Sequence, residues 1–380
     1  MVKPEFRPFD FTVDGADNYA VTSSGKKFID FSGSAMTTGY NYIKKEWLLP
    51  VVSRLVYDNP HTQELSAKLT GMSGFEHVAF TTSGTEACDA SLSRYGKPFF
   101  SLEGAYHGLT YITSLVSNGT GYDGNNRIVH LKCPTSRITT EAAISWNEEM
   151  LGKIPRKDPL ERGSVIIELI QSDGGVNVIP LEFTRYINEI TERYGLKLIV
   201  DEVYTGYGRS GEMLLFKKYG LEPDIVCLGK GMAAGLPLGA VLYSGDWDTP
   251  YNSVISMQSA NMFVAKIAVE VLKSLDDRRL NFVRISGQEI IKRLSLLNNT
   301  RIFSVRGMGF MIGIEFRDRM DNPDTKYAYS IREKLARSGL ICSLTGEFNN
   351  VLKITPPPLI DKDTLMKGVA IIENVLSNSE

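Results

Sequence analysis

Two charged residues stand where apolar runs of strand type end, near the middle of the chain. The run 198–200 stops at Asp201, and the run 224–228 is followed by Gly229 and Lys230. In open α/β sheets, ligands collect beyond the carboxyl ends of the strands, so a carboxylate and an amine at two such ends can face one bound molecule. This placement indicates a site for a ligand that uses a lysine and an acid together.

Pyridoxal phosphate is a cofactor that requires such a pair. Its aldehyde forms a Schiff base with a lysine, and an acid beside its ring nitrogen keeps that nitrogen protonated, so that the ring withdraws electrons. The alternative for Lys230 is a solvated lysine, because a loop of small residues follows it over 231–239. If the cofactor binds here, other elements must supply a phosphate cradle and contacts to the ring.

A helix is predicted to begin at residue 83, directly after a short strand. Ser83 or Thr85 can cap this helix, Glu86 supplies an acid to its first turn, and Gly84 allows a tight turn. Free N–H groups and the positive end of the helix dipole suit a phosphate at such a place. An ordinary capped helix is the alternative, and it would be favoured if this motif stood alone.

Two further residues are candidates for contacts with a ligand. Tyr106 follows a predicted strand over 97–102, where an aromatic ring can stack on a planar ligand; a packed loop is the alternative. The continuous apolar run over 164–170 is typical of a parallel strand buried on both faces, and this run contains Glu168. A carboxylate in a buried strand is costly unless it is paired or used, so Glu168 is a candidate site residue.

Strands and helices alternate from about residue 80 to 245. This pattern indicates an α/β fold with a mostly parallel sheet covered by helices on both sides. Residues 306–316 alternate as one further strand, and the chain from about residue 255 onward resembles a smaller α+β domain. We therefore predict three parts: an amino-terminal segment of the small domain (1–45), a large cofactor-binding domain (46–254) and a carboxy-terminal small domain (255–380).

Composition excludes several classes of function. Hydrophobic residues make up 43% and charged residues 23% of the 380 residues, which are ordinary globular values, and the net charge of −2 argues against nucleic acid as a partner. Four cysteines and four histidines show no metal-ligand spacing, so we expect no metal site and buried thiols in a reducing compartment. The amino terminus has no signal-peptide pattern, and no apolar run approaches the roughly 20 residues of a membrane helix. We expect a soluble, cytoplasmic protein.

Seven short motifs, taken in order, resemble the class III aminotransferases, which are pyridoxal-phosphate enzymes of fold type I. The resemblance extends from about residue 25 to 357. Each motif alone is weak, but seven in the right order are specific. They are SGTEA at 83–87, YHG at 106–108, Glu168 with DGG at 173–175, DEVYTGYGRSG at 201–211, PDI at 223–225, GKG at 229–231 and RGMGFMIGIE at 306–315.

The resemblance implies a role for each site residue. Lys230 forms the Schiff base and later moves the proton, and Asp201 pairs with the ring nitrogen. The other cofactor contacts are Ser83, Gly84 and Thr85 to the phosphate, Tyr106 and Val203 to the two ring faces, Glu168 near the ring, and Tyr204, which replaces the usual glutamine and whose hydroxyl can bond the 3′ oxygen.

The resemblance also implies a homodimer with active sites at the interface. The family's partner-subunit threonine falls near Met257, which leaves Gln258 or Ser259 as substitutes for holding the phosphate. Asp173 occupies the place of a gating acid in some ω-amino acid transaminases. Lys353 stands where many members use an arginine to bind the substrate carboxylate, and a lysine does not reproduce the two-bond geometry of an arginine.

Three activities remain open from the sequence. The first is an aminotransferase that moves an amino group from an amino acid or ω-amine to a 2-oxo acid. The second is an amino-acid racemase or epimerase, or a glutamate-1-semialdehyde-type aminomutase, on the same scaffold. The third is a non-catalytic relative, against which the presence of both Lys230 and Asp201 argues.

Overall fold

The computed structural model describes residues 19–21, 26–31, 59–125, 127–154, 163–246 and 259–379. Gln258 lies outside these residues. The strands are β1 (Tyr19–Val21), β2 (Lys27–Asp30), β3 (His77–Thr81), β4 (Phe99–Leu102), β5 (Gly121–Asp123), β6 (Ile128–Leu131), β7 (Ser164–Ile167), β8 (Ile170–Gln171), β9 (Asn177–Val178), β10 (Lys197–Asp201), β11 (Ile225–Leu228), β12 (Gly239–Tyr243), β13 (Ile302–Met308), β14 (Met311–Phe316), β15 (Leu340–Ile341), β16 (Ser343–Thr345) and β17 (Val351–Ile354).

The helices separate these strands as the alternation in the sequence predicts. Most begin at a side chain that accepts a bond from a free N–H of the first turn, such as Asn59 for α1 and Ser83 for α2. The helices are α1 (Pro60–Ser73), α2 (Gly84–Tyr95), α3 (Tyr111–Leu115), α4 (Thr140–Lys153), α5 (Leu181–Tyr194), α6 (Leu215–Lys218), α7 (Met262–Ser274), α8 (Asp277–Ser295), α9 (Thr325–Arg337) and α10 (Lys362–Ser377).

The central element is an eight-stranded sheet in the order β3-β12-β11-β10-β7-β4-β6-β5. Its middle pairings, from β11 through β10, β7 and β4 to β6, are parallel, whereas β12, β3 and β5 pair in antiparallel fashion at the two sides. The middle strands are buried apolar runs, as strands covered on both faces must be. The predicted α/β fold with a mostly parallel sheet is confirmed.

The structure corrects two details of the prediction. The strand predicted over 164–170 ends at Ile167, so Glu168 lies just beyond the carboxyl end of β7 rather than inside a strand. The single strand predicted over 306–316 is a hairpin of β13 and β14, because Gly309 takes a left-handed conformation with φ 55° and turns the chain. In both cases the apolar pattern continues past the end of a strand, so the pattern alone does not show where the strand ends.

A separate core forms beneath the four-stranded sheet β13-β14-β17-β16, where α8, α9 and α10 pack. Strand β2 pairs with β1 on one side and with β15 on the other, so the described amino-terminal strands join this part of the chain. We call residues 277–379 the carboxy-terminal region and residues 77–243 the sheet region. The domain limits stay a prediction. Among the described helices, none has the length and apolar character needed to cross a membrane.

Candidate active site

Asp201 and Lys230 line one cavity. Asp201 ends β10, and Lys230 follows β11 in a short 3₁₀ helix (Lys230–Ala233); the two strands are parallel neighbours in which Asp201 is paired with Cys227. The first cavity, of about 400 Å³, lies beyond these strand ends. Its described lining comprises residues 82–85, Tyr106, His107, Gly108, Glu168, Asp201, Val203, Tyr204, Lys230 and residues 235–238.

Asp201 is held by donors on both of its carboxylate oxygens. Oδ1 accepts a bond from the backbone N–H of Val203 at 2.9 Å, and Oδ2 lies 2.8 Å from Nδ1 of His107. Both side chains are buried, and Nε2 of His107 has no hydrogen-bond partner among the described residues. His107 is not among the site residues predicted from the sequence, although its position next to Tyr106 in the YHG motif is a usable signal.

A buried thiol completes the surroundings of Asp201. Cys88 Sγ donates to Asp201 Oδ2 at 3.4 Å. The hydrogen bond with Cys227 and complete burial raise the pKa of the Cys88 thiol well above its ordinary value. The ligand atoms of Cys88, His107 and Asp201 lie within 4.8 Å of one another, as in a metal site. A metal would need the Cys88 thiolate, however, and a thiol that stays protonated is a hydrogen-bond donor instead.

The predicted helix start forms one wall of the cavity. Ser83 is the N-cap of α2 and accepts a bond from the N–H of Glu86, whose carboxylate in turn bonds the backbone and hydroxyl of Thr82. A Cβ on Gly84 would lie 2.4 Å from a methyl of Val203, and a Cβ on Gly229 would lie 3.0 Å from the Gly84 backbone. Glycine is therefore required where the helix start approaches the loops after β10 and β11.

Glu168 and Tyr106 lie on the same cavity and are connected to each other. Glu168 Oε2 accepts a bond from the backbone N–H of Tyr106 at 2.9 Å. Burial and the negative charge of Asp201 raise the pKa of Glu168 well above its ordinary value. This bond ties the turn that carries Tyr106 to the end of β7, so the aromatic ring is presented by an anchored turn.

Lys230 adopts a left-handed backbone conformation, with φ 46°, which lysine rarely takes. Its Nζ lies 4.4 Å from the centre of the Tyr204 ring, a distance at which a cation is attracted to the ring face. Tyr204 is buried, and its hydroxyl has no hydrogen-bond partner among the described residues. A buried hydroxyl without a partner costs free energy, so this group is available for a ligand acceptor.

Lys353 and Asp173 form an ion pair at the other end of the site. Lys353 Nζ lies 3.1 Å from Asp173 Oδ1, 3.2 Å from Ser172 Oγ and 5.6 Å from the Tyr204 ring centre. Burial alone would lower the pKa of Lys353, but Tyr204 and Asp173 raise it above its ordinary value. The structure thus brings Lys353 close to Tyr204 as a cation and pairs it with Asp173. Neither predicted substrate residue is among the described residues that line the first cavity.

Ser259 is buried just before α7 and is not among the described residues that line the first cavity. All the predicted cofactor residues that the structure describes, except Ser259, therefore line this one cavity of a single chain. Gln258 lies outside the described residues. Those two residues are the ones that the resemblance assigned to a partner subunit.

The described residues fit pyridoxal phosphate. A primary amine and a buried carboxylate share one cavity, and the start of α2 offers backbone donors suited to a phosphate. The Tyr204 hydroxyl, which has no partner of its own, can donate to an oxygen on a ligand ring. The close approach at Gly84 sets the Val203 side chain against the helix start at the edge of the cavity.

Comparisons with known proteins agree with this geometry. The family model "Aminotransferase class-III" matches residues 5–376. The chain is 27% identical over 394 residues to the acetylornithine aminotransferase of Lactococcus lactis, with 97% of each chain covered. It is 28% identical over 416 residues to the alanine/serine racemase of Pyrococcus horikoshii, which covers 99% of this chain and 85% of that protein.

The fold is also similar to that of solved structures. An amine transaminase from an uncultivated Pseudomonas species, in its form with bound pyridoxal phosphate, superposes with a TM-score of 0.83 at 22% identity. The match covers 97% of this chain and 95% of that one. At this level of identity the similarity establishes the fold, fold type I of the pyridoxal-phosphate enzymes.

Proposed function

This chain belongs to the class III aminotransferases, and we propose that its first cavity uses pyridoxal phosphate to transfer an amino group from an amino acid or ω-amine to a 2-oxo acid. The observation that carries the proposal is the meeting of Lys230 and Asp201 at the ends of two neighbouring parallel strands, on one cavity. A non-catalytic relative would not need both groups at a single site.

Lys230 is the group that moves protons. Pyridoxal phosphate, when bound, supplies an aldehyde that condenses with amines and a ring that accepts electrons. We assign Lys230 Nζ to hold the cofactor covalently and, once a substrate amine displaces it, to take a proton from the neighbouring substrate carbon. The Tyr204 ring, 4.4 Å away, stabilises the ammonium that Lys230 becomes when it takes that proton.

Asp201 is assigned to the cofactor's ring nitrogen. Its carboxylate is buried and receives bonds from Val203 N–H, His107 and Cys88, so it cannot turn away from the cavity. A fixed charge in a buried place acts more strongly on its partner than the same charge in water. His107 and Cys88 are therefore positioning residues for Asp201.

The phosphate is assigned to residues at the start of α2. Ser83, Gly84 and Thr85 line the cavity at the positive end of the helix dipole. Tyr106 and Val203 are assigned to the two ring faces, with Glu168 near the ring and Asp201. The Tyr204 hydroxyl is assigned to the 3′ oxygen, where the family usually has a glutamine.

Lys353 is assigned to the substrate carboxylate. Its raised pKa keeps it charged, and its position beside Tyr204 places this charge within reach of a substrate that has displaced Lys230. Asp173 neutralises Lys353 when no substrate carboxylate is bound. When a substrate carboxylate binds Lys353, Asp173 becomes available to a substrate ammonium. We therefore favour amino donors that carry a carboxylate.

We also propose that the enzyme is a cytoplasmic homodimer in which Gln258 or Ser259 of one chain contributes to the phosphate site of the other. Leu109 and Tyr111, beside the turn that carries Tyr106, are 80% and 73% exposed in the single chain. Large apolar side chains exposed next to an active site are typical of a surface that a partner covers. All four cysteines are buried free thiols, which suits a reducing compartment.

Racemisation is the second candidate, because the relative from Pyrococcus horikoshii named alanine/serine racemase is about as similar as the aminotransferases. A racemase also needs a proton acceptor, but returns the proton to the same carbon. Both activities are compatible with Lys230 as the group that moves the proton.

The test uses the purified holoenzyme with a panel of amine donors and either 2-oxoglutarate or pyruvate as acceptor. Transamination predicts a carbonyl product from the donor together with glutamate or alanine from the acceptor, while racemisation predicts only loss of the donor's chirality. The Lys230→Ala variant should lose both the activity and the visible absorption of the covalently held cofactor. A variant that keeps this absorption would rule out the assignment of Lys230. If neither glutamate nor alanine formed from the acceptors with any donor, transamination would be ruled out.

A further inference from the structure

A second cavity, of about 570 Å³, lies between the sheet region and the carboxy-terminal region. Its walls come from the turn after β4, the segment after β6, the loop between β8 and β9, and strands of the carboxy-terminal region. None of the described residues that line it except Asp173 belongs to the predicted active site. The size is that of a pocket for a small molecule.

The cavity holds a carboxylate oxygen that lacks a partner. Glu103 Oε2 accepts a bond from Lys132 Nζ at 2.8 Å, but Glu103 Oε1 is buried and has no hydrogen-bond partner among the described residues. A buried carboxylate oxygen without a donor costs free energy. A ligand that brings an ammonium group to Glu103 would remove this cost.

Two arginines on the same cavity have guanidinium donors that no acceptor of the described residues occupies. Arg306 Nε is buried without a partner among the described residues, although Nη1 bonds Glu315 and Nη2 bonds the Gly175 carbonyl. The exposed Arg137 side chain makes no ion pair within the described part of the chain. A ligand carboxylate therefore finds unused donors on this cavity, as an ammonium finds an unused acceptor.

The charges around the cavity nearly balance, since Lys132, Arg137 and Arg306 face Glu103, Asp173, Glu315 and Glu347. A polyanion such as a nucleotide would be repelled by the carboxylates, whereas a zwitterion matches both signs. Ile138, Pro323 and Phe348 add an apolar part to the lining, and Phe348 is 46% exposed. We propose that the second cavity binds a free α-amino acid with an apolar side chain, its ammonium on Glu103 and its carboxylate on Arg306 and Arg137.

Occupancy of this site acts on both ends of the active site. The Glu103 carbonyl accepts a bond from Gln171 Nε2 at 2.9 Å, and Glu103 begins the turn that carries Tyr106. Arg306 holds the Gly175 carbonyl in the loop that carries Asp173. A bound amino acid that draws on Glu103 and Arg306 therefore changes the affinity of the active site for its substrate, and by linkage the substrate changes the affinity for the amino acid.

Trp146 reports on this cavity. Lys132 Nζ lies 4.9 Å from the centre of its ring, so a change at the Glu103–Lys132 pair alters the surroundings of Trp146. The test uses holoenzyme reduced with borohydride, in which Lys230 carries the cofactor permanently and amino acids cannot exchange onto it. L-leucine is the probe, with isothermal calorimetry and tryptophan fluorescence as readouts.

We expect saturable binding of L-leucine by both readouts, and loss of the fluorescence change but not of the heat in Trp146→Phe. Glu103→Gln and Arg137→Ala should each weaken binding roughly tenfold or more, the effect of losing a charge-assisted bond. Glu189→Gln, an exposed carboxylate on α5, is the matched control and should bind as the unmodified enzyme does. Two leucine analogues, 4-methylpentanoate and 3-methylbutylamine, each lack one charge of the amino acid, so each should bind the unmodified enzyme at least about tenfold more weakly than L-leucine does.

The absence of saturable binding at millimolar L-leucine would overturn the proposal. Binding that is unchanged in both Glu103→Gln and Arg137→Ala, or that is lost in Lys353→Gln instead, would also overturn it, because the amino acid would then occupy another site. Arg137 is exposed, so its variant keeps the test decisive if Glu103→Gln does not fold. None of these measurements requires turnover, and failure of the transamination assay therefore leaves their outcome separate.

Discussion

The two ends of the active site are built in different ways. The cofactor end, around Asp201, uses elements of the sheet region alone, and the Asp201 side chain is only 5% exposed. The substrate end joins Asp173, in the loop after β8, to Lys353 on β17, and the Asp173 side chain is 46% exposed. Asp201 is therefore buried and held by several bonds, whereas the substrate end depends on how the carboxy-terminal region packs, and Asp173 remains open to water.

The largest expected effect comes from breaking the cofactor end at Asp201. Asp201→Asn keeps the shape of the side chain but removes the charge that we assign to the ring nitrogen. We expect the rate to fall on the order of hundredfold or more, with the fold unchanged by circular dichroism. Asp224→Asn, at the opposite end of the neighbouring strand, is the control and should keep the rate. Equal rates for the two variants would contradict the role of Asp201.

The second prediction concerns Glu202, the buried neighbour of Asp201, and its effect on stability at different pH values. Burial raises the pKa of Glu202 from 4.5 to about 7, although Phe216 N–H and Thr205 Oγ1 bond its carboxylate. Between pH 4.5 and about pH 7, Glu202 has lost its proton in the unfolded chain but keeps it in the folded chain. The free energy of unfolding therefore falls as pH rises through this interval. Above pH 7 the loss amounts to roughly 3 kcal/mol.

Glu202→Gln has no proton to release and should flatten this part of the pH dependence. The measurement is the free energy of unfolding in urea at pH values from about 4 to about 8, a range that covers both pKa values of Glu202. Glu182→Gln, an exposed residue at the start of α5, should keep the slope of the unmodified protein. Identical slopes for the unmodified protein and Glu202→Gln would show that Glu202 does not titrate in this interval.

A smaller effect tests how tightly the phosphate wall is packed. Gly84→Ala places a Cβ 2.4 Å from a Val203 methyl, and we expect a loss of about 1–3 kcal/mol in stability and faster loss of cofactor on dialysis. Gly71→Ala in α1 meets nothing within 4 Å and should gain about 0.5–1 kcal/mol. If both variants keep the cofactor equally well, the packing at Gly84 does not shape the site.

The smallest effect sharpens the description of the substrate end. Lys353→Gln removes a cation but leaves a polar side chain, so KM for a donor with a carboxylate should rise about tenfold while kcat changes little. Donors without a carboxylate should be unaffected. Lys334→Gln on α9 serves as the control. An equal effect on both classes of donor would show that Lys353 supports the site without contacting the carboxylate.

How well the sequence predicted each end of the active site depends on how far apart along the chain the cooperating residues lie. Strand ends, helix caps and glycine turns are local features, so Asp201, Lys230 and Ser83 could be predicted as site residues from their own neighbourhoods. His107 was not predicted as a site residue, because its bond to Asp201 joins positions that are 94 residues apart. The position of Glu168 was misjudged because a buried apolar run has the same composition within a strand and just after it.

The sequence by itself determined the fold class and the cofactor chemistry, because alternating apolar segments and an ordered set of short motifs depend on local propensities and spacing. The tertiary structure alone decided how Lys353, Asp173 and Tyr204 meet, and that the second cavity exists at all. Ion pairs such as Lys353–Asp173, which spans 180 residues, form only after both regions have packed. Side chains that lie on separate cores are brought together by the packing between regions, and no local pattern in the sequence encodes that packing.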